Sequence, residues 1–203
     1  MAPPDTRLPP TRQDQDDPGV AANHRLTSVT GALLLILLLL LGITVLDVQQ
    51  LLPQHFLLGF ALIPPVLLKL ASTGYRFGRY YTGDPAYRAA GPPHLVMRLL
   101  GPLVVISTVA VFVTGVELWL FGLRFGSEWV AAHKLSFFAW LPLTGIHVLV
   151  HLGRTADAAA LELSSTPDRA LSRRSLVIGS LVVGAVIAAA SLAYPSPFIF
   201  FAD

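Results

Sequence analysis

Long runs of apolar residues alternate with shorter polar stretches along this chain. Each run contains roughly 20 residues, the length that an α-helix needs to cross the hydrocarbon core of a bilayer. The runs are apolar on all sides and lack the one-sided stripe of a soluble helix. The pattern therefore predicts an all-α integral membrane protein, a helical bundle of five transmembrane spans. The predicted spans are residues 26–46, 55–73, 99–122, 129–152 and 176–194.

The polar stretches predict how the chain is organised. Residues 1–25 are rich in Pro and Asp, which is typical of a disordered tail, and residues 26–152 hold four spans that we expect to form one core. Residues 153–175 are predicted to be a loop, and residues 176–203 a fifth span with a short terminus. We expect the first span to be a membrane helix and not a signal peptide, because about 25 polar residues precede it and no small-residue cleavage motif follows it.

Composition and charge support a membrane protein and predict its orientation. Hydrophobic residues make up 54% of the chain and charged residues 13%, about half the charged share of a soluble domain. All 14 lysines and arginines except Arg124 and Lys134 lie in or near residues 1–25, 74–98 and 153–175. Because cytoplasmic loops are enriched in these cations, we expect a cytoplasmic N-terminus and an external C-terminus.

The same cations indicate a cellular location. The net charge of +2 arises from the bias between loops, so it gives no indication of nucleic-acid binding. Arg far outnumbers Lys, and Ala and Gly are frequent, which is typical of a bacterial genome rich in G and C. We therefore expect a multi-pass protein of a bacterial plasma membrane, surrounded by lipid.

The chain contains no cysteine. This excludes disulfides, thiolate-held iron–sulfur clusters and covalently attached c-type haem. A redox centre in this protein would be bound non-covalently, with histidine as the main available ligand.

Histidines lie near the ends of the predicted spans, where a polar ring is costly to bury without a partner. They are His24, His55, His94, His133, His147 and His151. Their positions predict an outer pair, His55 and His133, and an inner group. His133 and His147 are separated by 14 residues, so in a helix they point within about 40° of each other and lie about 21 Å apart along the axis. One helix face thus presents an imidazole to each of two layers.

Two hairpins of similar design support the outer pair. In "LLGITVLDVQQLLPQHFLLG" and "VTGVELWLFGLRFGSEWVAAH", a helix and a short loop precede a histidine, with Gly42 matching Gly115. Such hairpins would bring His55 and His133 to one depth. Lys69 takes the position that matches His147, so the inner layer lacks this symmetry.

Two imidazoles at one depth suit haem, a flat apolar ring that is held from both faces. Gly59 lies one turn after His55, where the missing side chain leaves room for the ring. Ligation by two histidines favours electron transfer over oxygen chemistry. The alternative is that these histidines are interfacial residues hydrogen-bonded to backbone carbonyls, which is what we expect of His151.

Residues 24–152 resemble the haem-b-binding membrane subunits of respiratory formate dehydrogenases and nickel–iron hydrogenases, a group related to four-helix b-type cytochromes. The resemblance rests on His24, "LLGITVL", "HFLLG" and "HKLSFFAWLPLTGIH". It implies a four-helix haem-binding core plus one C-terminal span, with one or two non-covalent haem b groups. The outer haem would lie between His55 and His133, and the inner haem between His24 and His147.

The chain departs from that group at the inner site. Arg25 follows His24 where an aromatic residue is common, and His94 competes with His24 as the inner ligand. The fifth span falls outside the resemblance.

The resemblance implies an electron-transfer subunit that links a quinone pool to a partner oxidoreductase. We find no substrate site in the sequence; a quinone site at Glu117, near the outer end of its span, has no other residue to support it. The loop at 74–98 combines Tyr and Arg residues, a composition common at binding interfaces, and we expect it to dock a cytoplasmic partner or anionic lipid. Two alternatives remain open: a haem-free scaffold or assembly subunit, and a transport-associated membrane protein.

Overall fold

A computed structural model describes residues 17–91, 95–163 and 167–198 of the chain. These residues form six α-helices and no strand. The helices are α1 (Pro18–Leu46), α2 (Leu52–Tyr81), α3 (Pro85–Ala89), α4 (Leu95–Phe121), α5 (Glu128–Leu163) and α6 (Pro167–Ser191). All except α3 are long and apolar enough to cross a membrane. The prediction of an all-α membrane protein with five spans is confirmed.

Helix α1 begins earlier than the polarity of the sequence suggests. The Asp17 side chain accepts hydrogen bonds from the backbone N–H groups of Gly19 and Val20 at 2.7 and 3.0 Å, and Pro18 occupies the first helical position. This is a strong helix start, because the carboxylate satisfies two otherwise unpaired donors. Residues 18–25 therefore belong to α1 and not to the tail; residues 1–16 lie outside the described part.

The predicted loop at 153–175 is also largely helical. Helix α5 continues to Leu163 and α6 starts at Pro167. The Glu162 carboxylate accepts from the Arg173 guanidinium at 2.9 Å, and the Glu162 carbonyl accepts from Arg174 at 2.6 Å. This mostly buried ion pair ties the end of α5 to the start of α6.

The connection from α2 to α4 begins later than predicted, because α2 extends to Tyr81. The Asp84 side chain caps the short helix α3 by accepting from the Tyr87 N–H at 3.2 Å, and it pairs with Arg79. The buried Tyr87 ring packs edge-on against Tyr75, with centroids 5.9 Å apart. The candidate ligand His94 lies in the undescribed segment 92–94.

The helices form a ring with one open side. Helix α1 packs on α2 and α5, and α4 packs on α5, whereas α2 and α4 barely touch. Helix α6 lies against α2, where Gly184 sits directly on the backbone carbonyl of Ala61. A cleft therefore separates α2 from α4.

The distribution of side chains is that of helices surrounded by lipid. Leu39, Leu99 and Leu149 are more than 60% exposed, while Thr30 and Ser107 are buried between helices. In membrane proteins, small polar residues typically lie where helices contact each other, and leucines lie on the outward faces. We conclude that the outward faces contact lipid.

The C-terminal segment closes one end of the bundle. Ser196 Oγ donates to the Trp119 carbonyl at 2.7 Å, and the Tyr194 hydroxyl donates to the Leu120 carbonyl at 2.9 Å. Gly122 has a φ of 59°, and a Cβ at this position would lie 3.1 Å from the Cβ of Pro197. We call this end, formed by residues 47–51, 122–127 and 192–198, the hairpin end.

Candidate metal centre

His55 and His133 meet inside the bundle near the hairpin end. His55 lies on the first turn of α2 and His133 on the second turn of α5. Their ring centroids are 6.4 Å apart and their planes are inclined by 86°. The two hairpins thus bring their histidines to one depth, as their similar design predicts.

Each histidine is hydrogen-bonded to a threonine of the preceding helix. His55 Nδ1 lies 2.8 Å from Thr44 Oγ1, at the last turn of α1. His133 Nδ1 lies 3.0 Å from Thr114 Oγ1, on α4. The same arrangement occurs in both hairpins, so the site has an internal symmetry at the level of its hydrogen bonds.

The threonine hydroxyls assign the protonation of the rings. Thr44 Oγ1 donates its single proton to the Leu41 carbonyl at 2.6 Å, and Thr114 Oγ1 donates to the Ala110 carbonyl at 2.7 Å. With the hydroxyl proton given to that carbonyl, each oxygen accepts from the imidazole, and this assignment puts the proton of a neutral ring on Nδ1. The lone pair of each ring is then on Nε2, which is the arrangement of a metal-ligating histidine with an oriented outer partner.

The spacing of the rings fits one metal ion between them. Two metal–imidazole bonds of about 2 Å, together with the distance from each nitrogen to its ring centre, add up to roughly 6 Å. Perpendicular planes are compatible with this, because an axial imidazole can rotate about its bond to the metal. The observed 6.4 Å therefore suits ligation from opposite sides.

The glycines beside the two histidines have different surroundings. A Cβ at Gly115 would lie 3.1 Å from His133 Cε1, so this glycine makes room for the imidazole. A Cβ at Gly59 would meet no atom within 4 Å, so open space adjoins α2 one turn after His55. A Cβ at Gly42, the predicted match of Gly115, would likewise meet no atom within 4 Å. The two hairpins therefore correspond in their threonines and not in these glycines.

The residues present fit a haem group. The protein supplies two imidazoles, and a porphyrin brings its own four equatorial nitrogens. Within the described ranges no group of three or more His, Cys, Asp or Glu gathers around a common point. Phe56 packs edge-on against both His55 and Phe198.

The opposite half of the bundle has a different arrangement. His147 packs against His151 of its own helix, with centroids 4.8 Å apart, and its buried Nδ1 has no hydrogen-bond partner among the described residues. Lys69 Nζ donates to the Thr27 carbonyl at 2.6 Å and lies against Gly31. His24 is at an exposed position near the start of α1. The inner ligand pair therefore stays a prediction.

Sequence reasoning missed Thr44 and Thr114. Both lie in apolar helices, where threonine commonly bonds a carbonyl of its own helix and attracts no notice. The available signal was a threonine near the hairpin end of each helix that precedes a histidine. The threonine and the histidine are 11 residues apart in the first hairpin and 19 in the second, so no fixed sequence motif identifies the pair.

No family model, curated protein or solved structure matches the chain. The site is therefore interpreted from its own geometry.

Proposed function

We propose that this protein is a b-type cytochrome, a membrane subunit that transfers electrons between a quinone pool and a partner oxidoreductase. The observation that supports the proposal most directly is the His55–His133 pair, with each Nδ1 proton held by a threonine and each Nε2 free to ligate. His147, with His24 or His94, is the proposed ligand pair of a second haem.

The residues of the pair account for the proposed activity. When bound, haem b supplies an iron that cycles between two oxidation states. His55 and His133 would hold the group from its two faces, and ligation by two histidines would leave no open position for oxygen and would favour electron transfer. Thr44 and Thr114 orient the imidazoles, and the apolar helices around them exclude water.

The proposed location is a bacterial plasma membrane, with the N-terminus in the cytoplasm and the hairpin end near the external face. The end of α2 farthest from the hairpin end then faces the cytoplasm. There Phe77 and Tyr81 are 57% and 59% exposed, beside the Arg79–Asp84 ion pair. Exposed aromatic residues next to arginine favour a protein partner at this surface.

Absorption spectroscopy with single substitutions tests the proposal. The wild-type protein, expressed with added haem and purified, should show a reduced-minus-oxidised spectrum of haem b that acidified solvent extracts. His55→Ala and His133→Ala should each remove the same haem, because one remaining imidazole holds the iron from one side only. His151→Ala is the matched control, a histidine on the same helix as His133, and should keep the haem content of the wild type.

A folded wild-type protein without a Soret band would overturn the proposal. So would unchanged haem content in both His55→Ala and His133→Ala. Circular dichroism and gel filtration, measured on each variant, separate loss of haem from loss of fold.

A further inference from the structure

A cleft opens between α2 and α4 in the described part of the protein. It has a volume of about 410 Å³, within the range of small-molecule sites. Its lining is apolar and includes Val66 and Leu67 of α2 and Val113 of α4. Leu67 and Val113 are more than half exposed, so the cleft opens sideways between the helices, where lipid-soluble molecules have access.

A single carboxyl group interrupts this apolar lining. Glu117 of α4 borders the cleft, and both of its carboxylate oxygens are buried without a hydrogen-bond partner among the described residues. A buried carboxyl without a partner destabilises a fold, since its interactions with water are lost and not replaced. An ionisable residue in a membrane helix is therefore a strong candidate for a functional group.

The position of Glu117 connects the cleft to the histidine pair. Glu117 lies one helical turn after Thr114, whose hydroxyl is hydrogen-bonded to His133. Thr108, at the other end of the α4 lining, accepts a hydrogen bond from Trp140 at 3.0 Å, so its oxygen already has a partner. Glu117 is thus the group on this wall that still lacks hydrogen-bond donors.

We infer that the cleft binds the ring of a lipid-soluble quinol, with Glu117 accepting a hydrogen bond from a ring hydroxyl. A ring with hydroxyl groups supplies the donor that the carboxylate lacks, and an acyl chain does not. The apolar tail of such a molecule leaves through the open side of the cleft. The choice of a quinol rests on the proposed electron-transfer function; the site itself rests on the cleft and its carboxyl group.

Calorimetry of the full-length protein in lipid nanodiscs tests the inference. The probes are a decyl-tailed benzoquinol and its dimethyl ether, which has the same ring and tail but no hydroxyl donor. Haem is kept reduced with dithionite, so that binding is measured without electron transfer, and empty nanodiscs correct for partitioning. The wild type should bind the quinol roughly tenfold more tightly than the ether, as expected for one additional hydrogen bond.

Three variants identify the site. Glu117→Leu should bind the quinol and the ether equally, because both acceptor oxygens are gone. Leu67→Trp adds bulk at the exposed mouth of the cleft and should weaken the binding of both probes. Glu128→Gln, which alters an exposed carboxylate at the start of α5, is the matched control and should behave like the wild type.

Stability without a probe provides a second measurement. Glu117→Leu should raise the unfolding temperature, because it removes an unpartnered carboxyl group from apolar surroundings. A lower unfolding temperature would show that Glu117 has a structural role, and it would overturn the inference.

The inference also fails if the wild type binds quinol and ether equally, or if Glu117→Leu still distinguishes them; the cleft would then be a lipid groove. Haem content, measured on the same samples, separates this failure from that of the proposed function. Glu117-dependent binding in a protein without haem would support the site and refute the cytochrome. Haem in a protein without Glu117-dependent binding would support the cytochrome and refute the site.

Discussion

At the scale of single residues, a threonine hydroxyl determines what each histidine of the pair can do. Thr44 and Thr114 each contact a backbone carbonyl and the Nδ1 atom of His55 or His133, and with the hydroxyl proton on the carbonyl the threonine accepts from Nδ1. A ring oriented in this way is preorganised for the metal ligation that we propose. Outer partners of this kind raise the basicity of the ligand and typically change metal affinity by about 10- to 100-fold.

Replacing the hydroxyl of Thr114 should therefore weaken the proposed binding of haem. Thr114→Val keeps the shape of the side chain but removes the acceptor, and we expect haem to be lost roughly tenfold faster to an acceptor protein. The midpoint potential should rise, since a less electron-rich imidazole stabilises oxidised iron less. Thr114→Ser keeps the hydroxyl and is the control. Equal rates and potentials in the two variants would refute the role of the hydroxyl.

At the scale of helices, close backbone contact decides how α6 joins the bundle. Gly184 lies so near the Ala61 carbonyl that a Cβ at this position would collide with it. Gly179, five residues earlier on the same helix, would place a Cβ in open space. Small residues at a contact let two membrane helices approach, and the gain is in van der Waals packing.

Gly184→Ala should consequently push α6 away from α2 and lower the unfolding temperature, although alanine is the better helix former. Overpacking of this kind costs roughly 1–3 kcal/mol. Gly179→Ala is the matched control and should leave the unfolding temperature unchanged or slightly higher. Thermal unfolding in detergent, followed by circular dichroism, compares the two. An equal effect of both substitutions would mean that the α2–α6 contact adapts to the added methyl group.

At the scale of the whole molecule, an odd number of spans places the termini on opposite sides of the membrane. The cations near residues 1–25, 74–98 and 153–175 predict that the N-terminus is the cytoplasmic one. The His55–His133 pair then lies near the external face, and the aromatic surface at Phe77 and Tyr81 faces the cytoplasm.

Reporter fusions at the two termini check this arrangement. A reporter that is active only in the cytoplasm should work at residue 1, and one that is active only outside should work at residue 203. The loop at 74–98, tagged in the same way, serves as an internal control for the cytoplasmic side. Two termini on the same side would contradict five crossings, and a full inversion would contradict the orientation.

The sequence alone determined the five spans and the histidines worth testing. Apolar runs of this length have one stable solution in lipid, a helix that satisfies its own backbone. It did not determine the helix ends, because the Asp17 cap and the Glu162–Arg173 ion pair extend α1, α5 and α6 into segments that polarity marks as tail or loop.

Only the tertiary structure decided how the helices lie side by side. It placed His55 against His133, each histidine against its threonine, the C-terminal segment over the hairpin end, and a cleft with Glu117 between α2 and α4. Periodicity shows which face of a helix a residue occupies. Which helix that face meets depends on packing between side chains distant in the chain, and small groups such as Gly184 settle it by allowing close approach.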